Sequence, residues 1–244
     1  MKEVIGVIHF PLDAYNESLR DLEKWLILNL DRFEEGGINS VILQDQVIER
    51  KASIETIGRV TSLCHEARKK YPNIKLGLIL DSNDCEATVK IALMTNIDFI
   101  RIKVFVGAMI KNTGIVEGCI IDNYKLINDA KNTLEIMADI YDKTGSPLGD
   151  VSYTDACIYA VKMGADKLIL TGNNIENSKK IIREVREKVK SPIYIGGGVT
   201  QNNINEIKNE VSGCIVSSTF LEEGSSNNWS VSKIKNFMKE WTFQ

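Results

Sequence analysis

The stretch Pro192-Ile193-Tyr194-Ile195-Gly196-Gly197-Gly198-Val199-Thr200 is where this chain shows its architecture most openly. A short apolar run breaks into three glycines and then enters a helix-like segment. Glycines let the backbone turn its N–H groups toward a ligand, and a helix start adds positive partial charge. Some way on, Cys214-Ile215-Val216 runs into Ser217-Ser218-Thr219, a second strand end rich in small residues. In an α/β barrel the last two βα loops are where phosphate most often sits. Gly196, Gly197, Gly198, Ser217 and Ser218 are therefore the candidate phosphate ligands. A tight strand-to-helix turn would need glycine for geometry alone, and nucleotide-, flavin- and sugar-phosphate-binding barrels all use such loops.

Outward from that loop, apolar β-type runs fall at residues 4–10, 38–43, 74–80, 97–104, 134–140, 167–170, 193–195 and 213–216. Between and after them lie helical stretches at 17–35, 53–70, 84–94, 123–131, 152–163, 175–190, 203–209 and 230–239. Strict βα alternation, repeated eight times with short connections, implies parallel strands. The expected fold is α/β, a single parallel eight-stranded (β/α)8 TIM barrel formed by residues 1–244 as one domain. An open doubly wound sheet would carry an early dinucleotide fingerprint. Here the first run ends in His9-Phe10-Pro11-Leu12-Asp13, and Gln201 stands where the late glycines would need a third partner. Residues 110–121 read as a helix interrupted by Gly114 and Gly118, suited to a lid or to an ordered surface loop.

With 244 residues, 43% of them apolar, the chain can bury a large core. Its formal charge of -3 and the lack of a basic run interleaved with aromatics argue against nucleic acid. The amino-terminal apolar run is too short for a signal segment or a membrane span, so a cytoplasmic protein with no membrane partner is expected. Five single cysteines without a CxxC pair fit reduced thiols, and Cys214 reads as a core residue. Two histidines, His9 and His65, exclude a His-rich metal site, and His65 reads as a solvated helix residue. No cofactor is expected; a divalent metal, a flavin and homo-oligomerisation all stay open.

Charged strand residues in a barrel gather at the carboxyl ends, so the strand ends supply the site candidates. They are His9, Gln44 with Asp45, Asp81 followed by Asn83 and Asp84, then Arg101 and Lys103. Two-residue alternation would set Asp139, Tyr141 and Lys143 on one face if the extended conformation continues that far, and adjacent strands would bring Lys103 close to Asp139. Each has a structural alternative: Asp139 as a buried acid satisfied by Lys103 or Arg101, His9 as a core histidine, Asn83 and Asp84 as helix caps.

At these positions the chain resembles the BtpA family. Val4-Ile5-Gly6-Val7-Ile8-His9, Asn83-Asp84, Asp98-Phe99-Ile100-Arg101, Gly114-Ile115-Val116-Glu117-Gly118, Ala138-Asp139, Lys143, Pro147-Leu148, Thr171-Gly172 and the run from Gly196 to Thr200 carry the likeness. The resemblance implies a TIM-type, phosphate-binding barrel in a family named for a role in photosystem I biogenesis. The chain departs from the family pattern at Leu43-Gln44-Asp45, at Lys103, in the short loop Phe10-Pro11-Leu12-Asp13, and at Asp139-Ile140-Tyr141-Asp142-Lys143-Thr144, where two histidines are lost.

These readings lead to an enzyme for a phosphorylated sugar or nucleoside-derived sugar phosphate, with isomerase, aldolase or lyase, and hydrolase all open. Asp139 would serve as acid and base, Lys103 or Lys143 would stabilise an oxyanion or form a Schiff base, and His9 and Arg101 would complete the machinery. Asp45, Asp81, Asn83, Tyr141, Thr171 and Gly172 would line the substrate. The alternatives are a catalytically degenerate phosphometabolite-binding or assembly protein and a flavin-binding barrel.

Overall fold

The computed structural model describes residues 2–12 and 16–242, so Asp13 lies outside it. In chain order the elements are β1 (Glu3–His9), α1 (Leu19–Glu35), β2 (Ser40–Gln44), α2 (Ile54–Lys70), β3 (Lys75–Ile79), α3 (Cys85–Met94) and β4 (Phe99–Ile102). Then come β5 (Ala108–Lys111), β6 (Gly114–Glu117), α4 (Ile120–Ala130), β7 (Glu135–Ile140), β8 (Gly145–Pro147) and α5 (Tyr153–Lys162). The chain finishes with β9 (Lys167–Leu170), α6 (Ile175–Arg186), β10 (Ile193–Ile195), α7 (Ile204–Ile207), β11 (Gly213–Val216) and α8 (Val231–Thr242).

Side-chain caps start five of the helices. Ser18, Ser53, Asp84, Ser152 and Asn174 each accept the N–H three residues on, satisfying a donor that the first turn leaves free. Each helix then buries one stripe, as α1 does with Leu22, Leu26, Leu30 and Phe33. The eight expected strands close into a parallel barrel in the order β1, β2, β3, β4, β7, β9, β10, β11 and back to β1. Helix α4 starts three residues before the expected 123, α6 stops at Arg186, and α7 is a single turn.

Alternation along the strands stacks the interior in layers. Ile5, Val7, Ile42, Ile79, Phe99, Met137, Ile169, Tyr194 and Ile215 form the apolar middle. Beneath them, at the strand starts, Lys167 Nζ lies 3.0 Å from Glu3 and 2.8 Å from Glu135, Lys75 Nζ lies 3.0 Å from Glu135, and Tyr194 donates to Glu3. The ladder of cations and acids closes the floor. A larger apolar layer lies between the outer strand faces and the helices.

The expectation for residues 110–121 is corrected. Instead of a glycine-interrupted helix, β5 and β6 form a hairpin around Asn112-Thr113, with Lys111 paired to Gly114 and β8 added antiparallel on the other side. Gly114 has φ +106°, which a turn this tight requires of a glycine. Met109 turns inward opposite Val116 and Pro147, while Ile110 and Ile115 face out together.

Candidate functional site

The mouth is built where β1, β2, β3, β4, β7, β9, β10 and β11 end. Inward alternation carries Arg101 and Asp139, neighbours through the pairing of Arg101 with Met137 and Ile102 with Ala138, into a bidentate ion pair. Arg101 Nε lies 2.7 Å and Nη2 2.9 Å from the two Asp139 oxygens, and Asp139 is buried. Burial works against both charges; the carboxylate more than compensates and lifts the guanidinium above its ordinary range. Lys103 comes near enough to Asp139 to act on its charge, as the alternation suggested, but does not pair with it. Its ammonium contacts Asp81, which also receives Gln44 Nε2 at 3.4 Å. The cause is stagger: β4 ends at Ile102, so Lys103 already belongs to the loop and leans toward the neighbouring β3 end.

Tyr141 is likewise not beside Asp139. β7 ends at Ile140 and Tyr141 takes φ +59°, which breaks the two-residue alternation. Its ring packs edge-on against Tyr153 at 5.1 Å and its hydroxyl donates to the Val151 carbonyl at 2.7 Å. The same twist buries Asp142, which accepts from Lys111 and from Thr144 Oγ1 at 2.6 Å. These contacts more than offset burial and hold the Asp142 carboxyl below its usual range. They also tie the β5–β6 hairpin to the end of β7.

Asp45 and Asn83 serve the loops. Asp45 accepts the Asp81 N–H at 2.6 Å and the Val47 N–H at 3.2 Å, while burial pushes its pKa up to about 6. Asn83 donates to the Val104 carbonyl and accepts the Val104 N–H, both at 3.0 Å, so its amide is occupied in bracing the end of β4. Asp84 caps α3, accepting the Ala87 N–H at 3.1 Å.

The glycine loop lies on the far side of the mouth. Gly196 donates its N–H to Thr171 Oγ1 at 3.1 Å, and an added Cβ there would meet Thr171 Oγ1 at 2.8 Å. Gly197 and Gly198 have φ +121° and +76°, and among the described residues their N–H groups find no acceptor. Asn203 braces them, accepting the Thr200 N–H at 2.8 Å and donating to the Gly198 carbonyl at 2.9 Å. Lys143 Nζ lies 3.0 Å from where a Gly197 Cβ would stand, and it has no ion pair or hydrogen bond among the described residues. Lys143, Gly197, Gly198, Thr171, Gly172 and Asn203 line a cavity of about 280 Å³. Gly172 donates to Ser178 Oγ at 2.9 Å, which fixes the wall where α6 begins. A second hollow of about 300 Å³, between Phe10, Leu12, α1 and α2, is largely apolar and touches the mouth only near Asp45.

The end of β11 behaves differently from its sequence reading. Thr219 Oγ1 donates to the Val199 carbonyl at 2.9 Å, so the last two loops do meet. Ser218 is exposed beside them. Ser217, however, turns inward: it donates to the Val7 carbonyl at 2.8 Å, accepts from Trp229 Nε1 at 3.2 Å and lies 3.2 Å from His9 Nδ1. Burial, then the nearby Lys103 and Arg101 cations, push the His9 pKa down to about 4, so the ring is neutral at pH 7. Trp229, Asn203 and Lys111 are site-supporting residues that no spacing in the sequence marks.

A family model described as the BtpA family matches residues 1–242. The chain belongs to the BtpA family. Among BtpA relatives, an uncharacterized protein of Archaeoglobus fulgidus is 30% identical, the match covering 91% of this chain and 92% of the relative. The photosystem I biogenesis protein BtpA of Synechocystis is 24% identical, with 92% and 82% covered. Among solved structures, this BtpA-family barrel resembles KGPDC from Streptococcus mutans, with TM-score 0.60 and 13% identity over 99% and 98% of the two chains. It also resembles 3-hexulose-6-phosphate synthase from Salmonella typhimurium, with TM-score 0.61, 13% identity and the same coverage. Among the described residues no helix is long and apolar enough to cross a membrane.

Proposed function

We propose that this protein is an enzyme acting on a phosphorylated small molecule of the sugar-phosphate type, with the phosphate in the glycine-loop cavity and proton chemistry in the adjoining mouth. One observation carries the reading: the N–H groups of Gly197 and Gly198 lack acceptors among the described residues, and Lys143, itself without a partner there, stands over them. Backbone N–H groups in positive-φ glycines plus an ammonium are the donor set an oxyanion takes. Ser218 borders the same loops, whereas Ser217 is taken up by Val7 and Trp229. The likeness to barrels such as 3-hexulose-6-phosphate synthase supports the ligand class.

The mouth offers two kinds of group. Arg101 and Asp139 satisfy each other and fix the geometry of the β4 and β7 ends. Lys103, paired to Asp81 at a less buried position, is the cation placed to meet charge developing on a ligand, and neutral His9 is the base. The test is calorimetric titration with inorganic phosphate and with a pentose and a hexose monophosphate. Gly198→Asp suits it, because nothing lies within 4 Å of an added Cβ there and φ +76° is one Asp tolerates. The carboxylate should abolish binding, and Lys143→Met should weaken it about tenfold or more, the worth of one charge-assisted hydrogen bond. Unchanged affinity in both variants, with folding confirmed by circular dichroism, would overturn the reading.

A further inference from the structure

We propose that Ser217, clamped between Trp229 and the Val7 carbonyl, is a positioning residue that holds His9 as the Nδ1-protonated tautomer and leaves Nε2 as an open proton acceptor at the mouth.

A hydroxyl has one proton and two lone pairs to share, and an indole N–H can only donate. Trp229 Nε1 therefore takes one lone pair of Ser217 Oγ at 3.2 Å. The hydroxyl proton has two claimants, the Val7 carbonyl at 2.8 Å and His9 Nδ1 at 3.2 Å, and the shorter contact goes to Val7. Val7 stands one residue past the last pair of the β1–β11 ladder, Gly6 with Val216, so a side-chain hydroxyl supplies a donor where the ladder ends. With the proton on Val7 and one lone pair on Trp229, what Ser217 presents to His9 is its second lone pair. Nδ1 must then bring the hydrogen. A neutral imidazole has only one N–H, so Nε2 is bare.

The clamp is rigid. Trp229 is fully buried, its ring 5.7 Å from Phe33 and 6.2 Å from Trp25. Nε2 makes no hydrogen bond among the described residues and is not one of the sealed, unpaired polar atoms of the interior, so it keeps access to solvent at the strand end that carries His9. The charged groups facing the ring are Lys103 and Arg101 at the end of β4 and Asp81 after β3; burial and the two cations keep it neutral.

The use of this base rests on the phosphorylated-ligand reading above. A proton leaves a hydroxyl, or a carbon beside a carbonyl, of that ligand and bonds to Nε2, making an imidazolium. The electron pair stays on the ligand as an alkoxide or enolate facing the Lys103 ammonium, and return of the proton restores both partners.

The tautomer is tested without any ligand. The chain has two histidines, so ¹⁵N-labelled protein and its His65→Gln variant assign the ring nitrogens of His9 outright, and long-range ¹H–¹⁵N couplings report which is protonated. The expected result at neutral pH is protonated Nδ1 and bare Nε2. Ser217→Ala should shift population toward the Nε2-protonated form, and Ser217→Thr, which keeps the hydroxyl, should restore the wild-type pattern. Phosphate affinity of Ser217→Ala by calorimetry should be unchanged. Wild-type His9 protonated on Nε2 overturns the proposal even if Ser217→Ala fails to fold, as do an imidazolium at neutral pH or a loss of phosphate affinity in Ser217→Ala. If the wild-type protein binds no phosphate, the ligand reading fails while the tautomer assignment stands on its own spectrum.

Discussion

Replacing His9 by Gln removes a half-buried neutral imidazole, and the consequence is legible in how stability varies with pH. The folded pKa of about 4 lies below the ordinary 6.5, so between those values the unfolded chain binds the proton and the folded one does not. Stability from this group is therefore present in full above pH 6.5 and is lost as pH falls through 4, an amount of about 3 kcal/mol. Asp45 pulls the other way. Its folded pKa of about 6 exceeds the ordinary 3.8, so it favours the folded state below 3.8 and that contribution is lost as pH rises through 6, again about 3 kcal/mol. The wild type hides both slopes because they nearly cancel. Urea unfolding at steps from pH 7 to pH 4, compared between wild type and each single variant, separates them. Relative to wild type, His9→Gln should gain about 3 kcal/mol as pH drops over that range, and Asp45→Asn should lose a similar amount. The difference between curves matters, because every other carboxylate titrates in all three proteins. A flat difference for His9→Gln would mean that the imidazole is as well solvated at the mouth as in the unfolded chain, and the reasoning about its neutral state would fall.

Arg101→Met should cost about 3–5 kcal/mol in denaturant unfolding, because it leaves the buried Asp139 carboxylate without its bidentate partner. Lys103→Met should cost less, since Asp81 retains 29% of its side-chain exposure and water can solvate it; equal losses would contradict the assigned pairing. Gly196→Ala should destabilise by about 1–3 kcal/mol through contact with Ile169 Cγ2 at 2.6 Å and Thr171 Oγ1 at 2.8 Å, read as a lowered thermal midpoint.

The barrel was legible because its signals are local and periodic. Every barrel strand lies in a short apolar run, and five helices open on a capping residue that can be read off the chain. The site was legible only as far as that periodicity holds. His9, Arg101 and Asp139 do face inward from strand ends. The extended run stops short at Tyr141, where one positive φ turns the side chain toward Tyr153, and Lys103, though it comes near Asp139 as expected, stands one residue past its strand and takes Asp81 as its partner. The β5–β6 hairpin was missed because Gly114 and Gly118 look like helix interruptions until Lys111 is seen to pair with Gly114 across Asn112-Thr113. Trp229 enters the site from far along the chain, and nothing in its sequence neighbourhood announces that its indole will reach Ser217.

The layered barrel interior has a consequence for traffic. Ile5, Val7, Ile42, Ile79, Phe99, Met137, Ile169, Tyr194 and Ile215 form a dry plug between the mouth and the charged floor. Hydrocarbon offers no relay of donors and acceptors, so a proton taken up by His9, as proposed, would have no exit downward. Entrance and exit are one door, and a ligand seated across the mouth shuts it. On the proposed function, a proton taken by His9 would stay beside the molecule that gave it for as long as that ligand is bound, available to be handed back at a different atom before bulk water could exchange it away.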